Sequence, residues 1–133
     1  MEKLEPLFQK LDCLQIPVPD LNEGLVLYRD KLNHDLIWRT ETAAGLRLPG
    51  TDAELVLQTE RPELEVNILV ASADAAALRF VETGGQLRVP PFDIAVGRCA
   101  VVEDPWGNRL VLLDMSKGSF ATDAQGNVLG REV

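Results

Sequence analysis

The strongest constraint on the fold is a pattern that the chain repeats. Adding 52 to a residue number places Val18 on Val70, Asp20 on Ser72 and Tyr28 on Phe80. In both halves a strand-like segment ends, a capping residue follows, and then come an apolar helical stripe and a stop signal. Identities between the halves are few, so the shared order of these signals is the better argument for two copies of one module.

The first helix is predicted by "VPDLNEGLVLYRDKLNHDL", residues 18 to 36. Asp20 is the candidate N-cap, and Glu23 stands three residues later, as in a capping box. The apolar stripe of this helix consists of Leu21, Leu25, Tyr28 and Leu32. Asn33 tolerates the left-handed backbone conformation, so the helix should end there.

The second helix is predicted by "NILVASADAAALRFVETGGQL", residues 67 to 87. Ser72 is its candidate N-cap. The apolar stripe consists of Ala73, Ala77 and Phe80. Gly84 and Gly85 favour termination of the helix.

Three strand-like segments follow each helix. They are "LIWRT", "GLRLP" and "ELVLQTE" in the first half and "GQLRVP", "GRCAVVE" and "RLVLLD" in the second. The last two are joined by "DPWGN", in which Pro105 fixes φ and Gly107 supplies conformational freedom. One such module cannot cover both faces of its sheet, so two modules should curl their sheets around a shared cleft.

The chain of 133 residues is expected to form one domain over residues 1–133. Module one spans about residues 9–60 and module two about residues 63–115. Residues 116–133 form a C-terminal extension with a candidate turn at "AQGN". A small hairpin that covers a neighbouring subunit and a partly disordered tail are both consistent with this segment.

The composition argues against several classes of partner. Lys and Arg number 13 and Asp and Glu number 21, which gives a net charge of −8. A surface with this bias repels phosphate backbones and anionic lipid headgroups, so we expect neither nucleic acid nor membrane as a partner. The chain shows neither a secretory signal nor an apolar run of about 20 residues, which favours a cytoplasmic location. Cys13 and Cys99 are too few for a disulfide framework, and we expect buried free thiols.

Together these segments resemble the vicinal oxygen chelate (VOC) superfamily, which includes glyoxalase I, bleomycin-resistance proteins, fosfomycin-resistance enzymes and extradiol dioxygenases. The resemblance rests on "LDCLQIPVPD", "YRDKLNH", "ILVASADAAALRFVETGG" and, most specifically, "VEDPWGNRLVLLD", and it covers about residues 9 to 115. It implies an α+β fold in which paired βαβββ modules form a cup-shaped mixed sheet. It also implies a homodimer.

In relatives with metal chemistry, the resemblance implies three ligand positions. The first, seven residues before the cap of the first helix, is Cys13, and the second, five residues before Val70, is Glu65. The third, seven residues after the aspartate of the turn, is Val111. A catalytic metal needs about three protein ligands, and a hydrocarbon side chain cannot serve as one. We therefore expect no cofactor, and a divalent metal is disfavoured without being excluded.

Strand alternation places Cys13 and Gln15 on one face of the first strand, and Glu65 and Asn67 on the equivalent face of its counterpart. If these faces line the cleft, as the resemblance implies, they form a polar floor beside the apolar Val111. A few polar groups on an apolar lining are typical of a small-molecule site.

Glu65 also has a candidate catalytic role, and two further side chains, Arg98 and Trp38, complete the candidate ligand-binding set. Glu65 is the candidate catalytic base, because a carboxylate in a cleft can abstract a proton or hold a cationic group. Arg98 could bind a substrate carboxylate, since its strand leads directly into the turn. Trp38 is expected in the wall of the cleft or in the core.

Two kinds of function fit these residues. The first is a small-molecule-binding protein without the usual metal centre, which sequesters a ligand in the cup or at a dimer groove. The alternative is an enzyme that uses the same cleft, either a glyoxalase, lyase or isomerase type with Glu65 as base, or a dioxygenase-like metal enzyme. The fold does not decide between them, because one fold can host many reactions.

Overall fold

The structure, a computed structural model, describes residues 5–118, 120–122 and 128–131, with side chains described over residues 5–118. Eight strands form one mixed sheet in the order β2-β3-β4-β1-β5-β8-β7-β6. Their bounds are β1 Lys10–Pro17, β2 Leu36–Arg39, β3 Ala43–Arg47, β4 Glu54–Gln58, β5 Glu65–Leu69, β6 Gln86–Ile94, β7 Gly97–Glu103 and β8 Arg109–Leu113.

The two halves of this sheet have the same topology. In each half the first strand lies parallel to the last, β1 beside β4 and β5 beside β8, and the remaining pairs are antiparallel. The halves join through the antiparallel pair β1–β5, in which Cys13 faces Asn67 and Gln15 faces Glu65. The prediction of paired βαβββ modules in a mixed α+β sheet is confirmed.

The first helix begins as its sequence predicts and then changes type. Helix α1 covers Leu21–Leu25, and the Asp20 carboxylate accepts a hydrogen bond from the Glu23 amide at 2.9 Å. A π-helical segment, Val26–Lys31, continues it, and Asn33 has the expected positive φ of 67°. The wider π turn rotates later residues away from the core, so Leu32, predicted in the buried stripe, is exposed.

The second helix, α2, covers Ala73–Glu82 and follows its predicted signals closely. The Ser72 hydroxyl accepts a hydrogen bond from the Ala75 amide at 3.2 Å, which confirms the cap. Ala73 and Ala77 are buried, and Gly84, with φ of 109°, lies just past the helix end. None of the helices in the described part of the chain is long and apolar enough to cross a membrane.

Each helix packs on the same side of its own half of the sheet. In module one the buried cluster consists of Leu21, Leu25, Ala44, Leu46, Leu55 and Leu57. In module two it consists of Val70, Ala76, Val102 and Leu112. Burial of these apolar groups stabilises each helix on its strands, and the opposite face of the sheet is left to form the concave surface.

The chain beyond β8 contributes a second, two-stranded sheet. Strand β9 (Phe120–Thr122) pairs antiparallel with β10 (Val128–Arg131). The turn predicted at "AQGN" lies outside the described residues. Strand β6, at one end of the large sheet, contains Pro90 and Pro91, and its register with β7 shifts between Val89 and Phe92.

Candidate functional site

The concave face of the sheet is set by strand alternation. Along β1, β4, β5 and β8, successive side chains alternate between the two faces of the sheet. Those that face the helices are apolar, and those between them point into the cup. The cup-facing residues at the centre are Cys13, Gln15, Val56, Asn67, Val111 and Leu113. The predicted polar floor of Cys13, Gln15, Glu65 and Asn67 therefore lies on this concave face, and all four residues line a cavity there.

Two neighbouring cavities occupy the cup. The small chamber, with a volume of about 390 Å³, lies mainly over module one and is lined by Asp12, Cys13, Trp38, Glu54 and Val56 among others. The large chamber, of about 1110 Å³, lies mainly over module two and is lined by Glu65, Cys99, Val101, Val111 and others. The residues that line both chambers are Gln15, Arg61, Asn67, Ile94 and Leu113.

Arg61 lies between Gln15 and Glu65 where the two chambers meet, and it was not among the predicted site residues. Its guanidinium donates to Gln15 Oε1 on β1 at 2.5 Å and forms an ion pair with Glu65 on β5. The side chain therefore spans the seam between the two modules. Arg61 follows β4 in the linker between the modules, where no strand periodicity indicates its direction. The one available signal was its place at i−4 from Glu65.

A buried glutamine fixes the backbone that carries Arg61. The Gln58 side-chain oxygen accepts hydrogen bonds from the Glu60 and Arg61 amides, each at 2.8 Å, and its nitrogen donates to the Arg61 carbonyl oxygen at 2.8 Å. Gln58 is 2% exposed. These three bonds from a buried side chain tie the linker backbone to the end of β4.

The small chamber has an aromatic wall and an acidic edge. Trp38 Nε1 donates a hydrogen bond to Glu54 Oε1 at 2.6 Å. The indole lies directly over Gly45, where a methyl group would collide with the indole nitrogen. Trp38 was predicted to lie in the wall of the cleft or in the core, and it lines this chamber.

A β-bulge brings a second carboxylate to the same chamber. In β1 the pairing with β5 runs from Leu11 directly to Cys13, so Asp12 is the extra residue. Bulges re-aim side chains, and Asp12 lines the small chamber together with its neighbour Cys13. Strand alternation alone would have placed Asp12 on the helix side, which is why it was not among the predicted site residues.

Burial changes the proton affinity of these groups. It raises the pKa of Asp12, against the weaker opposing effects of a hydrogen bond with Cys13 and of the Lys10 charge. It also raises the pKa of Glu54, against the hydrogen bond from Trp38, and the nearby Asp12 charge raises it further. The pKa of the Cys13 thiol is raised strongly by burial and next by the charge of Asp12. Cys13 therefore stays a protonated thiol at neutral pH, as does Cys99, whose pKa burial raises to about 11.

One polar atom on the floor lacks a hydrogen-bond partner. Asn67 is 7% exposed, and among the described residues nothing donates to its Oδ1. A buried acceptor without a donor costs about 1–3 kcal/mol. Because Asn67 lines both chambers, a bound molecule could supply the missing donor.

Arg98, predicted to bind a substrate carboxylate, lies elsewhere. Its guanidinium donates to Asp74 at 2.8 and 3.1 Å and to Asp93 at 3.2 Å, and it lines neither chamber. The reason is strand alternation. Cys99 points into the cup, so Arg98 points to the helix side, where α2 supplies Asp74.

The donor set of the floor does not fit a divalent metal. Val111 offers no ligand atom, and Glu65 already accepts from the Arg61 guanidinium. Within the residues that the structure describes, no group of three or more His, Cys, Asp or Glu side chains could hold a metal ion.

Comparisons with known proteins give a family from the sequence and similar folds from solved structures. The family model Glyoxalase/Bleomycin resistance protein/Dioxygenase superfamily matches residues 10–112. No curated protein matches the sequence with significance.

Among solved structures, methylmalonyl-CoA epimerase from Mycobacterium tuberculosis is 22% identical, with a TM-score of 0.69 over 85% of this chain and 92% of that one. A protein from Legionella pneumophila described as NAD-dependent benzaldehyde dehydrogenase is 20% identical, with a TM-score of 0.66 over 77% and 97%. A variant of homoprotocatechuate 2,3-dioxygenase from B. fuscum is 22% identical, with a TM-score of 0.61 over 83% of this chain and 33% of that one. At these identities the likeness concerns the fold alone.

Proposed function

Because the chain belongs to the Glyoxalase/Bleomycin resistance protein/Dioxygenase superfamily, we propose that its cup binds a small organic molecule and does so without a divalent metal. The observation that carries the proposal is the guanidinium of Arg61, which joins Gln15 to Glu65 across the seam of the sheet. A protein cation thus stands at the centre of the floor, beside a hydrocarbon at position 111.

The lining of the cup supports binding of an organic guest. Apolar side chains such as Val56, Val111 and Leu113 alternate with a few polar groups that have defined hydrogen-bond partners. Cavities of roughly 300–1,000 Å³ with this mixture are the usual form of small-molecule sites. The chambers, at about 390 and 1110 Å³, have room for such molecules.

The ion pair of Glu65 supports binding over proton abstraction. A general base must present its oxygen to the proton that it removes, and one oxygen of Glu65 is directed at Arg61 instead. If the cup were nevertheless an active site with Glu65 as base, Glu65→Gln would abolish turnover and leave ligand affinity nearly unchanged. We expect ligand affinity without turnover in both the wild type and this variant.

Elemental analysis tests the absence of a metal. The protein is purified without chelators, and Fe, Mn, Ni and Zn are measured against the protein concentration, with the final dialysis buffer as control. We expect substoichiometric amounts of each metal, and a thermal-shift panel of small molecules should give stabilising hits that EDTA does not change. A stoichiometric metal whose removal by chelator abolishes binding or activity would overturn the proposal.

A further inference from the structure

We propose that the small chamber is a subsite for an organic cation, a protonated amine or quaternary ammonium group, held at Asp12, Glu54 and Asn67. This inference rests on the proposed small-molecule function and adds the chemical class of the guest. It depends on three independent observations, which are the local charge, an unsatisfied acceptor and the shape of the walls.

The charge of the small chamber is negative and only partly compensated. The charged residues of its lining are Asp12, Glu54, Glu60 and Arg61. Arg61 interacts with Glu60, at 3.6 Å, and with Glu65, so its charge is already shared. Among the side chains that the structure describes, neither Asp12 nor Glu54 forms an ion pair.

The nearest other cations do not neutralise these two carboxylates by contact. Lys10 acts on Asp12 only as a nearby charge, and it lies 3.8 Å from the exposed Asp52. Arg47 lies opposite Glu54 in the pairing of β3 with β4, and it also acts on Glu54 only as a nearby charge. These two half-buried carboxylates therefore lack an ion-pair partner among the described residues, and a charged guest would supply it.

The Oδ1 atom of Asn67 is an unsatisfied acceptor on the floor of the same chamber. The residue is more than nine-tenths buried, and no described group donates to this oxygen. An N–H donor on the guest would satisfy it, whereas an anion would meet repulsion from the carboxylates as well as from this oxygen. The carboxylates of Asp12 and Glu54 and the Oδ1 atom of Asn67 would therefore all favour a cation that carries N–H donors.

The walls suit the organic part of such a guest. Trp38 forms one wall, and Ile37, Val56, Val96 and Met115 add apolar surface. An indole wall attracts a cation as well as apolar groups. The chamber is therefore matched to a cation with an attached hydrocarbon or aromatic group rather than to a hydrated inorganic ion.

The test compares three phenyl compounds that differ in charge. Benzylammonium, benzyl alcohol and benzoate are titrated into the full chain carrying Trp106→Phe, so that fluorescence reports Trp38 alone. Trp106 is 83% exposed and lies outside both chambers. We expect benzylammonium to bind about tenfold or more tightly than benzyl alcohol, since a charge-assisted hydrogen bond contributes this much, and benzoate to bind weakest.

Variants identify the groups responsible. Glu54→Gln keeps an oxygen for the Trp38 indole and removes the charge, so it should weaken benzylammonium about tenfold and leave benzyl alcohol unchanged. Asp12→Asn should act in the same direction. Asp52→Asn is the matched control, because it removes a carboxylate of 89% side-chain exposure outside the chamber, and it should leave both affinities unchanged.

The outcomes separate this inference from the function on which it rests. Equal binding of benzylammonium and benzyl alcohol, or a cation preference that survives in the Asp12→Asn/Glu54→Gln double variant, would overturn the cation subsite. In either case saturable binding in a metal-free protein would leave the proposed function standing. A stoichiometric metal in the purified protein would overturn the proposed function, and the charge preference at Asp12 and Glu54 would still be measured by the same titrations.

Discussion

Asp12 shows how a single residue can bear a cost in stability that a ligand would offset. Its carboxylate enters the chamber through the bulge in β1 and is only partly accessible to water. Burial raises its pKa, so the folded protein holds this proton more tightly than the unfolded chain does. The charged form therefore destabilises the fold at neutral pH.

Replacing this carboxylate should stabilise the protein in a pH-dependent way. Below the ordinary aspartate pKa of 3.8, Asp12 is protonated in both states and Asp12→Asn should have little effect. As the pH rises through the raised folded pKa, the wild type loses stability relative to the variant. At pH 7 we expect the free energy of unfolding of Asp12→Asn to exceed that of the wild type by up to about 1 kcal/mol, since partial exposure screens the charge.

Urea denaturation at pH 3.5 and at pH 7 measures this difference. The groups around Asp12 that also titrate or carry charge are Lys10, Cys13 and Glu54. The exposed Asp52→Asn serves as the reference for a simple loss of surface charge. An Asp12→Asn variant that is less stable than the wild type at pH 7 would contradict the argument.

At the scale of single elements, the linker after β4 is the most consequential segment. It carries no periodic signal, yet the Gln58 side chain makes three hydrogen bonds to its backbone and thereby sets the position of Arg61.

The first helix shows the complementary case. Its cap and its end at Asn33 were predicted, but the switch to π geometry after Leu25 was not, because the apolar spacing of a 3.6-residue repeat gives no sign of an i→i+5 bond such as that from Leu32 to Leu27.

The linker is tested by substitutions of two glutamines. Gln58→Leu removes three hydrogen bonds to the linker backbone, so it should lower the free energy of unfolding by about 1–3 kcal/mol. Gln86→Leu is the matched control, because it makes the same substitution at an exposed glutamine of β6. It should cost clearly less. Equal losses in urea denaturation would show that the amide bonds do not fix the linker.

At the scale of the whole molecule, the features that repeat in both halves are the ones that the sequence predicts. Caps, stripes and turns repeat locally in each half, so the two modules, their order and the concave face could be predicted. Arg61 and Asp12 could not, because one depends on a contact to Gln15 across the module boundary and the other on a bulge. Arg98 is the reverse case: its strand was predicted, but alternation along β7 turns its side chain away from the cup.

The seam also determines how the molecule should unfold. Each module has its own buried cluster, but β1 and β5 join them into one continuous sheet. We expect one cooperative unit. Leu112→Ala in module two should lower the free energy of unfolding by about 2–5 kcal/mol. The loss should be the same whether unfolding is followed at Trp38 in module one or by a probe of the whole fold. Leu57→Ala in module one is the counterpart.

Fluorescence of Trp38 in the Trp106→Phe background and far-ultraviolet circular dichroism are the two probes. Coincident transitions are expected for both variants. If the unfolding transition measured at Trp38 were unchanged by Leu112→Ala, the modules would unfold independently. The chain would then contain two folding units.

The adjoining prolines of β6 have a consequence for behaviour at high concentration. Pro90 and Pro91 lie in a terminal strand of the sheet and have no amide hydrogen to offer to a further strand. The apolar side chains nearby, Val89 and Phe92, are exposed and would otherwise make this border prone to fibril-like stacking. We therefore expect these two prolines to hinder the addition of a further strand along β6.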